Sequence, residues 1–294
     1  MRLFLLPIST KRTLIYCERV KQQLASEQSY LDKVTARASA TWVKWEKHEK
    51  GWQRTLTQYG NKLFARIPYE EWGLKSIPPL SARRQADELE GKETVQVAFP
   101  RSLIKHKSVS DVMRRLGSER QALHKKMMLW SIVGMPFTAP VALIPVLPNI
   151  PFFYLCFRAW SHWRALSGSK HVEFLLDHKL IQKSPSPLLD TLYSIARVDA
   201  ALSGARREVE RLRAGRDHGE AKLQNTSDPH GEEMLLSQSS GRLIAETLEV
   251  PELEMEIERA IAQVERSLAA RAELVEEKLE MESASKGAES EVKR

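Results

Sequence analysis

With 294 residues, the chain has room for one or two domains. Its only cysteines, Cys17 and Cys156, have no metal or redox spacing and exclude a disulfide framework. The formal charge of +7 is unevenly spread: residues 245–294 hold 14 Glu and no Asp against 7 Lys and Arg, a net −7, which leaves +14 on residues 1–244. A basic body of that kind suits an anionic lipid surface, with ribosomal RNA as the competing partner.

Residues 1–17, MRLFLLPISTKRTLIYC, carry Arg2, Lys11 and Arg12 and no acid. The apolar run Leu3–Leu6 is too short for a secretory signal. A mitochondrial transit sequence, a packed leader and a short strand all fit it. From Glu18 to Ile67 apolar residues recur at helical spacing, and the Trp42, Trp45 and Trp52 stripe reads as core more than as a binding face. Pro68 ends that element. Tyr69–Leu80, YEEWGLKSIPPL, reads as an ordered loop anchored by Trp72 and stiffened by Pro78 and Pro79. Ser81–Glu93 is helical in composition, Thr94–Phe99 alternates like one short strand, and a helix capped near Ser108–Asp111 follows. With Arg114, Arg115, Arg120, Lys125 and Lys126, that helix forms a basic ramp.

The ramp leads into Met127–Phe157, 31 residues without Asp, Glu, Lys, Arg or His. An apolar run of that length is a membrane candidate. Lys125, Lys126 and Trp130 on one side, and Arg158, Trp160, Trp163 and Arg164 on the other, are the residue types that settle at a membrane interface. Pro136, Pro140, Pro145, Pro148 and Pro151 interrupt any regular helix and free carbonyls that must find partners. Two arrangements fit: one span followed by a kinked interfacial helix, or a re-entrant hairpin turning near Pro148–Pro151. Basic residues on both flanks slightly favour the hairpin. Ser131, Thr138, Asn149 and the array Pro145, Pro148 and Pro151 are the candidate ion-proximal positions, because hard oxygens can replace the hydration shell of K⁺.

Ala159–Gln182 reads as helix, with Gly168 as a candidate break, and Leu188–Arg213 as another. Gly215–Gly231 is a linker by composition. After Pro251, Leu253, Ile257, Ile261, Val264, Leu268, Val275 and Leu279 give a heptad-like seam, and residues 283–294 read as a disordered tail. The expected fold is therefore mainly α: long amphipathic helices around a proline-rich membrane-embedded segment, with a C-terminal coiled-coil-like helix. The expected divisions are a leader or strand (1–17), a basic helical region (18–126), the membrane segment (127–157), a second helical region (158–214), a linker with a short helix (215–250), the coiled-coil-like helix (251–282) and the tail (283–294).

No Walker loop, GxGxxG, nucleophile elbow, zinc spacing or EF-hand occurs, and the eight histidines are scattered, so neither an enzyme nor a metal or cofactor site is expected. His171 and His178, seven apart, read as a surface pair.

MRLFLLPIS with RTLIYC, IPYEEWGLKSIPP, and PNIPFFYLCFRAWSHWRALSGSKH resemble, in that order, the fungal mitochondrial K⁺/H⁺ exchange-related family, over about residues 1–202. The resemblance implies the mitochondrial inner membrane and K⁺/H⁺ exchange, and supplies no catalytic residues. The residues add a constraint. Proton-coupled carriers keep an ionisable group within the membrane, and Met127–Phe157 has none. One short segment also cannot enclose a pathway, so a homo-oligomer, or a protein partner held by the C-terminal helix, is expected to complete it. The alternative is a membrane-anchored scaffold binding lipid, ribosome or a partner; nucleic acid is the less favoured ligand.

Overall fold

The computed structural model describes residues 1–18, 37, 40–42, 44, 45, 47, 51–140, 149–213 and 231–292. Among these the chain is mainly helical, with a small sheet. The strands are β1 (Arg2–Pro7), β2 (Thr13–Glu18), β3 (Val95–Phe99) and β4 (Ile181–Pro185). The helices are α1 (Trp52–Ala65), α2 (Tyr69–Ser76), α3 (Ala82–Leu89), α4 (Val109–Ser118), α5 (Gln121–Thr138), α6 (Ile150–Asp177), α7 (Pro187–Arg213), α8 (Gln238–Thr247) and α9 (Glu252–Val292).

The sheet order is β2-β1-β3-β4, and β1 pairs in parallel with β3, Leu3 opposite Val97. Leu3, Phe4, Leu5 and Leu6 are all fully buried. A strand covered on both faces reads as a continuous apolar run rather than an alternation, which is why RLFLL looks like a leader as much as a strand. β4 has no counterpart among the sequence expectations: IQKSP has neither alternation nor a β-branched run.

The first compact unit comprises Met1–Phe4, Ile15–Ala98 and Lys105–Pro185. Trp42 stacks on Phe64, and Phe64 on Phe157, at 5.4 and 4.9 Å between ring centroids, tying α1 to the start of α6. Of the helical expectation from Glu18 to Ile67, residues 19–36, 38, 39, 43, 46 and 48–50 lie outside the described residues. Tyr69–Ser76 is a helix rather than the expected loop. Pro68 precedes its first turn, where a missing N–H costs nothing, and Glu70 and Glu71 face the positive end of the helix dipole. α6 runs unbroken through Gly168, which lies where α6 crosses α2: a Cβ there would strike the Leu74 carbonyl. This glycine permits a close approach rather than breaking the helix.

α5 and α6 form an antiparallel pair, since His124 meets His162, Met135 meets Cys156, and Thr138 meets Asn149. Asn149 caps α6, its Oδ1 accepting from the Phe152 amide at 3.1 Å, and Pro151 occupies the first turn. Pro136 sits inside α5. No helix among the described residues is long and apolar enough to cross a membrane. The single-span alternative therefore has no described helix to carry it. The described parts of the run lie on the antiparallel pair α5 and α6, and the membrane-embedded part of the expectation is not supported by it.

The second unit comprises Leu5–Leu14, Phe99–Ile104 and Ser186–Arg294. Leu253, Ile257, Ile261, Val264 and Leu268 of α9 are buried, and Gly241 of α8 lies against Ile257 and Glu258. The first five positions of the seam expected to form a coiled coil are thus buried within their own unit, and Val275 is half-buried. α9 also runs on to Val292, past residue 282 where a disordered tail was expected. The Glu232 carboxylate is buried, accepting from Ser9 Oγ at 2.5 Å and pairing with Arg12 at 3.1 Å and Arg271 at 3.4 Å. Of the linker read at Gly215–Gly231, residues 215–230 lie outside the described set.

Candidate functional site

Where α2, α5 and α6 pack together, the first unit gathers six polar side chains, five of them buried and Arg158 half-buried. Glu71 and Lys75 come from α2, one helical turn apart; His124 comes from α5; Arg158, Ser161 and His162 come from α6, on one face at i, i+3 and i+4. Glu71, His124 and His162 are 1 %, 2 % and 4 % exposed. Buried groups of this kind must be hydrogen-bonded, and nearly all are.

The Arg158 guanidinium grips Glu71 with both arms, Nη1 to Oε1 at 2.9 Å and Nη2 to Oε2 at 3.2 Å. Ser161 Oγ donates to Glu71 Oε1 at 2.5 Å and accepts from Lys75 Nζ at 2.9 Å. The Lys75 ammonium also lies 3.1 Å from the centroid of the Trp72 ring, a cation–π contact. Burial pushes the Glu71 carboxyl up, but the Ser161 hydrogen bond and the Arg158 charge outweigh it and hold the group below the usual carboxylate range. Glu71 is ionised.

Arg158 fixes the histidine tautomers. Its Nη2 is a donor 2.8 Å from His162 Nε2, so Nε2 accepts and the ring proton sits on Nδ1. That Nδ1–H points at His124 Nδ1, 3.1 Å away, which must then accept. The His124 proton is therefore on Nε2, which is buried and has no hydrogen-bond partner among the described residues. Burial lowers both imidazoles. His162 falls to about 4, burial outweighing the attraction of Glu71, with Arg158, His124 and Lys75 adding to the fall. His124 falls for the same first cause, with Arg120, Arg158 and Lys75 again lowering it against Glu71.

Glu71, His124 and His162 offer ligand atoms within 4.8 Å of one another, the composition of a two-histidine, one-carboxylate metal site. The setting fits a cation poorly. Arg158 already holds both Glu71 oxygens, Lys75 adds a second positive charge, and the donor on His162 Nε2 makes its Nδ1 an N–H rather than a lone pair.

The sequence-predicted positions fall elsewhere. Ser131 Oγ donates to the Met127 carbonyl and Thr138 Oγ1 to the Met135 carbonyl, while Asn149 Nδ2 donates to the Thr138 carbonyl. Their polar atoms serve the backbone of the α5–α6 pair. Pro145 and Pro148 lie outside the described residues, and Pro151 starts α6. Arg158 is the one expected interfacial cation that is instead committed to a buried pair, because Glu71 supplies a counter-charge that the apolar flank did not reveal. Arg164 reaches the Lys75 carbonyl at 3.3 Å. Lys125, Lys126, Trp130 and Trp163 are exposed, and Trp160 is half-buried. The expected surface pair of His171 and His178 is also wrong for His171, which is fully buried between the Pro78 carbonyl at 2.8 Å and the Glu88 carboxylate at 2.9 Å.

Where α5 ends and α6 begins, the described apolar side chains are exposed. Leu129, Trp130, Val133, Phe137, Ile150 and Phe153 are exposed, Phe137 to 80 %. Exposed large apolar side chains in this number suit a surface that meets another apolar phase.

Comparison with known proteins places this geometry. A family described as mitochondrial K⁺–H⁺ exchange-related matches residues 2–176, which include every member of the buried cluster and the whole α5–α6 pair apart from Asp177. An uncharacterised protein of Schizosaccharomyces pombe is 29 % identical over 190 residues, covering 65 % of this chain and 81 % of its own. An uncharacterised protein of Saccharomyces cerevisiae is 25 % identical over 291 residues, covering 91 % and 85 % respectively. No solved structure matches. The chain belongs to the mitochondrial K⁺–H⁺ exchange-related family.

Proposed function

We propose that the protein is a non-enzymatic component or facilitator of K⁺/H⁺ exchange at the mitochondrial inner membrane, held there by the tip of its α5–α6 pair. The observation that carries the reading is the set of exposed apolar side chains Leu129, Trp130, Val133, Phe137, Ile150 and Phe153 on α5 and α6, with the exposed Lys125 and Lys126 beside them, in a family described by that exchange. The charge-free part of α5, Met127–Thr138, is about 18 Å long at 1.5 Å per residue, close to half of a ~30 Å hydrocarbon core. The tip therefore enters one leaflet, with Lys125 and Lys126 at the headgroups. A single shallow helix pair does not enclose an ion path, so the exchange path is completed by further copies or by a partner.

The test is K⁺-dependent proton flux in liposomes holding the purified chain, beside the same measurement in mitochondria from which the chain has been removed. The reading predicts slowed exchange in the depleted mitochondria, restored by adding the chain back. Unchanged exchange there overturns it. Flux from the purified chain alone makes it a self-sufficient exchanger. The scaffold reading stands on the acidic C-terminal helix. Replacing its exposed Met255 and Leu274 by Glu, which keeps the buried packing of Leu253 to Leu268, abolishes a scaffold's function and leaves that of an exchange component largely intact.

A further inference from the structure

The buried polar cluster has no vacancy for one more proton. His162 Nε2 already accepts from Arg158, and His124 Nδ1 already accepts from His162. A proton added to His162 Nε2 would set two donors against each other at 2.8 Å, and one added to His124 Nδ1 would do the same at 3.1 Å. Of the charges facing the pair, only Glu71 favours a proton, and burial outweighs it. α2 presents Glu71, whose Oε1 accepts from Arg158 and Ser161 and whose Oε2 accepts from Arg158 and lies 3.7 Å from His162 Nδ1, and Lys75; Arg120 precedes α5 and is paired with Glu70 at 2.8 Å; α6 presents Arg158. Proton uptake at His124 therefore requires that the α5–α6 contact break, and uptake at His162 that Arg158 of the same helix, which also grips Glu71 of α2, be displaced.

We infer that the His124–His162 pair is a proton-binding latch: closed, it joins α5 to α6, and a proton taken up at His124 Nδ1 opens that contact, while one taken up at His162 Nε2 displaces Arg158, which grips Glu71 of α2. Linkage gives the size of the coupling. His162 sits at about 4 when closed, and an imidazole released to water returns to about 6.5, so the open form binds a proton about 300-fold more tightly. By reciprocity the proton favours the open form by the same factor. This places the ionisable group that the apolar run lacks at the root of the element proposed to enter the membrane. It deepens that reading and depends on it for its role.

The test uses the full chain in detergent, so that a failure to bind membranes leaves it undisturbed. Nitroxides replace the exposed side chains Lys126 on α5 and Lys170 on α6, with Cys17→Ala and Cys156→Ala removing the native thiols. Pulsed electron resonance then reads the distance between the helices from pH 7.5 to pH 4. The latch predicts one narrow distribution at pH 7.5 that broadens or lengthens toward pH 4, and no change in His124→Gln with His162→Gln, which has no site for the proton. Nitrogen-15 shifts of histidines in the unsubstituted chain must show the Nδ1–H form for His162 and the Nε2–H form for His124. The inference is overturned by a distance that does not change with pH, by the same change in the glutamine variant, or by two imidazoles titrating independently near 6.5. Co²⁺ binding with visible absorption that disappears in His124→Gln also overturns it, because the trio would then be a metal site.

Discussion

Arg158→Ala separates the structural account from an interfacial arginine most sharply. As a snorkelling cation at a membrane edge, Arg158 would contribute little to the stability of the chain in detergent. In the structure its side chain is 15 % exposed and makes two charge-assisted bonds to a carboxylate that is itself 2 % exposed. Removing one partner of a buried ion pair leaves the other uncompensated and costs about 3–5 kcal/mol. The same substitution leaves Glu71 free to attract a proton onto His162, so the His162 pKa must rise. All seven tryptophans lie between residues 42 and 163, in the sequence of the first unit, so their fluorescence reports that unit during urea unfolding. The double substitution Arg158→Met with Glu71→Gln removes both charges and must recover much of the loss. A cost below about 1 kcal/mol for Arg158→Ala, or no recovery in the double variant, refutes the pairing and with it the tautomer assignment.

Phe137→Asp with Phe153→Asp removes two exposed rings, each worth about 1.5–3 kcal/mol when buried in lipid, so vesicle co-flotation must weaken roughly a hundredfold or more. Lys125→Glu with Lys126→Glu must weaken binding to anionic vesicles by about 1 kcal/mol per residue, and have little effect on neutral vesicles or at high salt. Gly168→Ala drives a methyl into the Leu74 carbonyl and must cost about 1–3 kcal/mol in urea unfolding of the first unit. The depressed imidazole of His162 contributes stability that is fully present above its unfolded value near 6.5 and is lost as the pH falls through about 4. Unfolding midpoints must therefore drop across that window, and the drop must shrink in His162→Gln.

The helices with clear periodicity, and the apolar run, were legible because each is a local pattern. What failed to show was non-local. His124 and His162 lie 38 positions apart, and Glu71 stands 91 residues before His162, so no spacing rule connects them. The available hint was smaller: His162 and Arg158 are four apart on a helix that begins inside the apolar run, and Glu71 sits in a segment too rich in charge to be a plain loop. Gly168 misled in the opposite direction. Within a helical stretch a glycine reads as a break, whereas here it is the close contact that lets α6 touch α2. The α9 seam has the heptad period of a coiled coil, but period alone does not say whether the partner is another chain or the adjacent α8.

The most direct measurement is exchange in mitochondria whose own copy of this chain is replaced by the Phe137→Asp, Phe153→Asp variant, with potassium acetate swelling followed by light scattering and the variant's membrane attachment by carbonate extraction. The account predicts that the folded variant leaves the membrane and that exchange falls with it. Normal exchange with the variant released into the soluble fraction would contradict the claim that the α5–α6 tip is the working part.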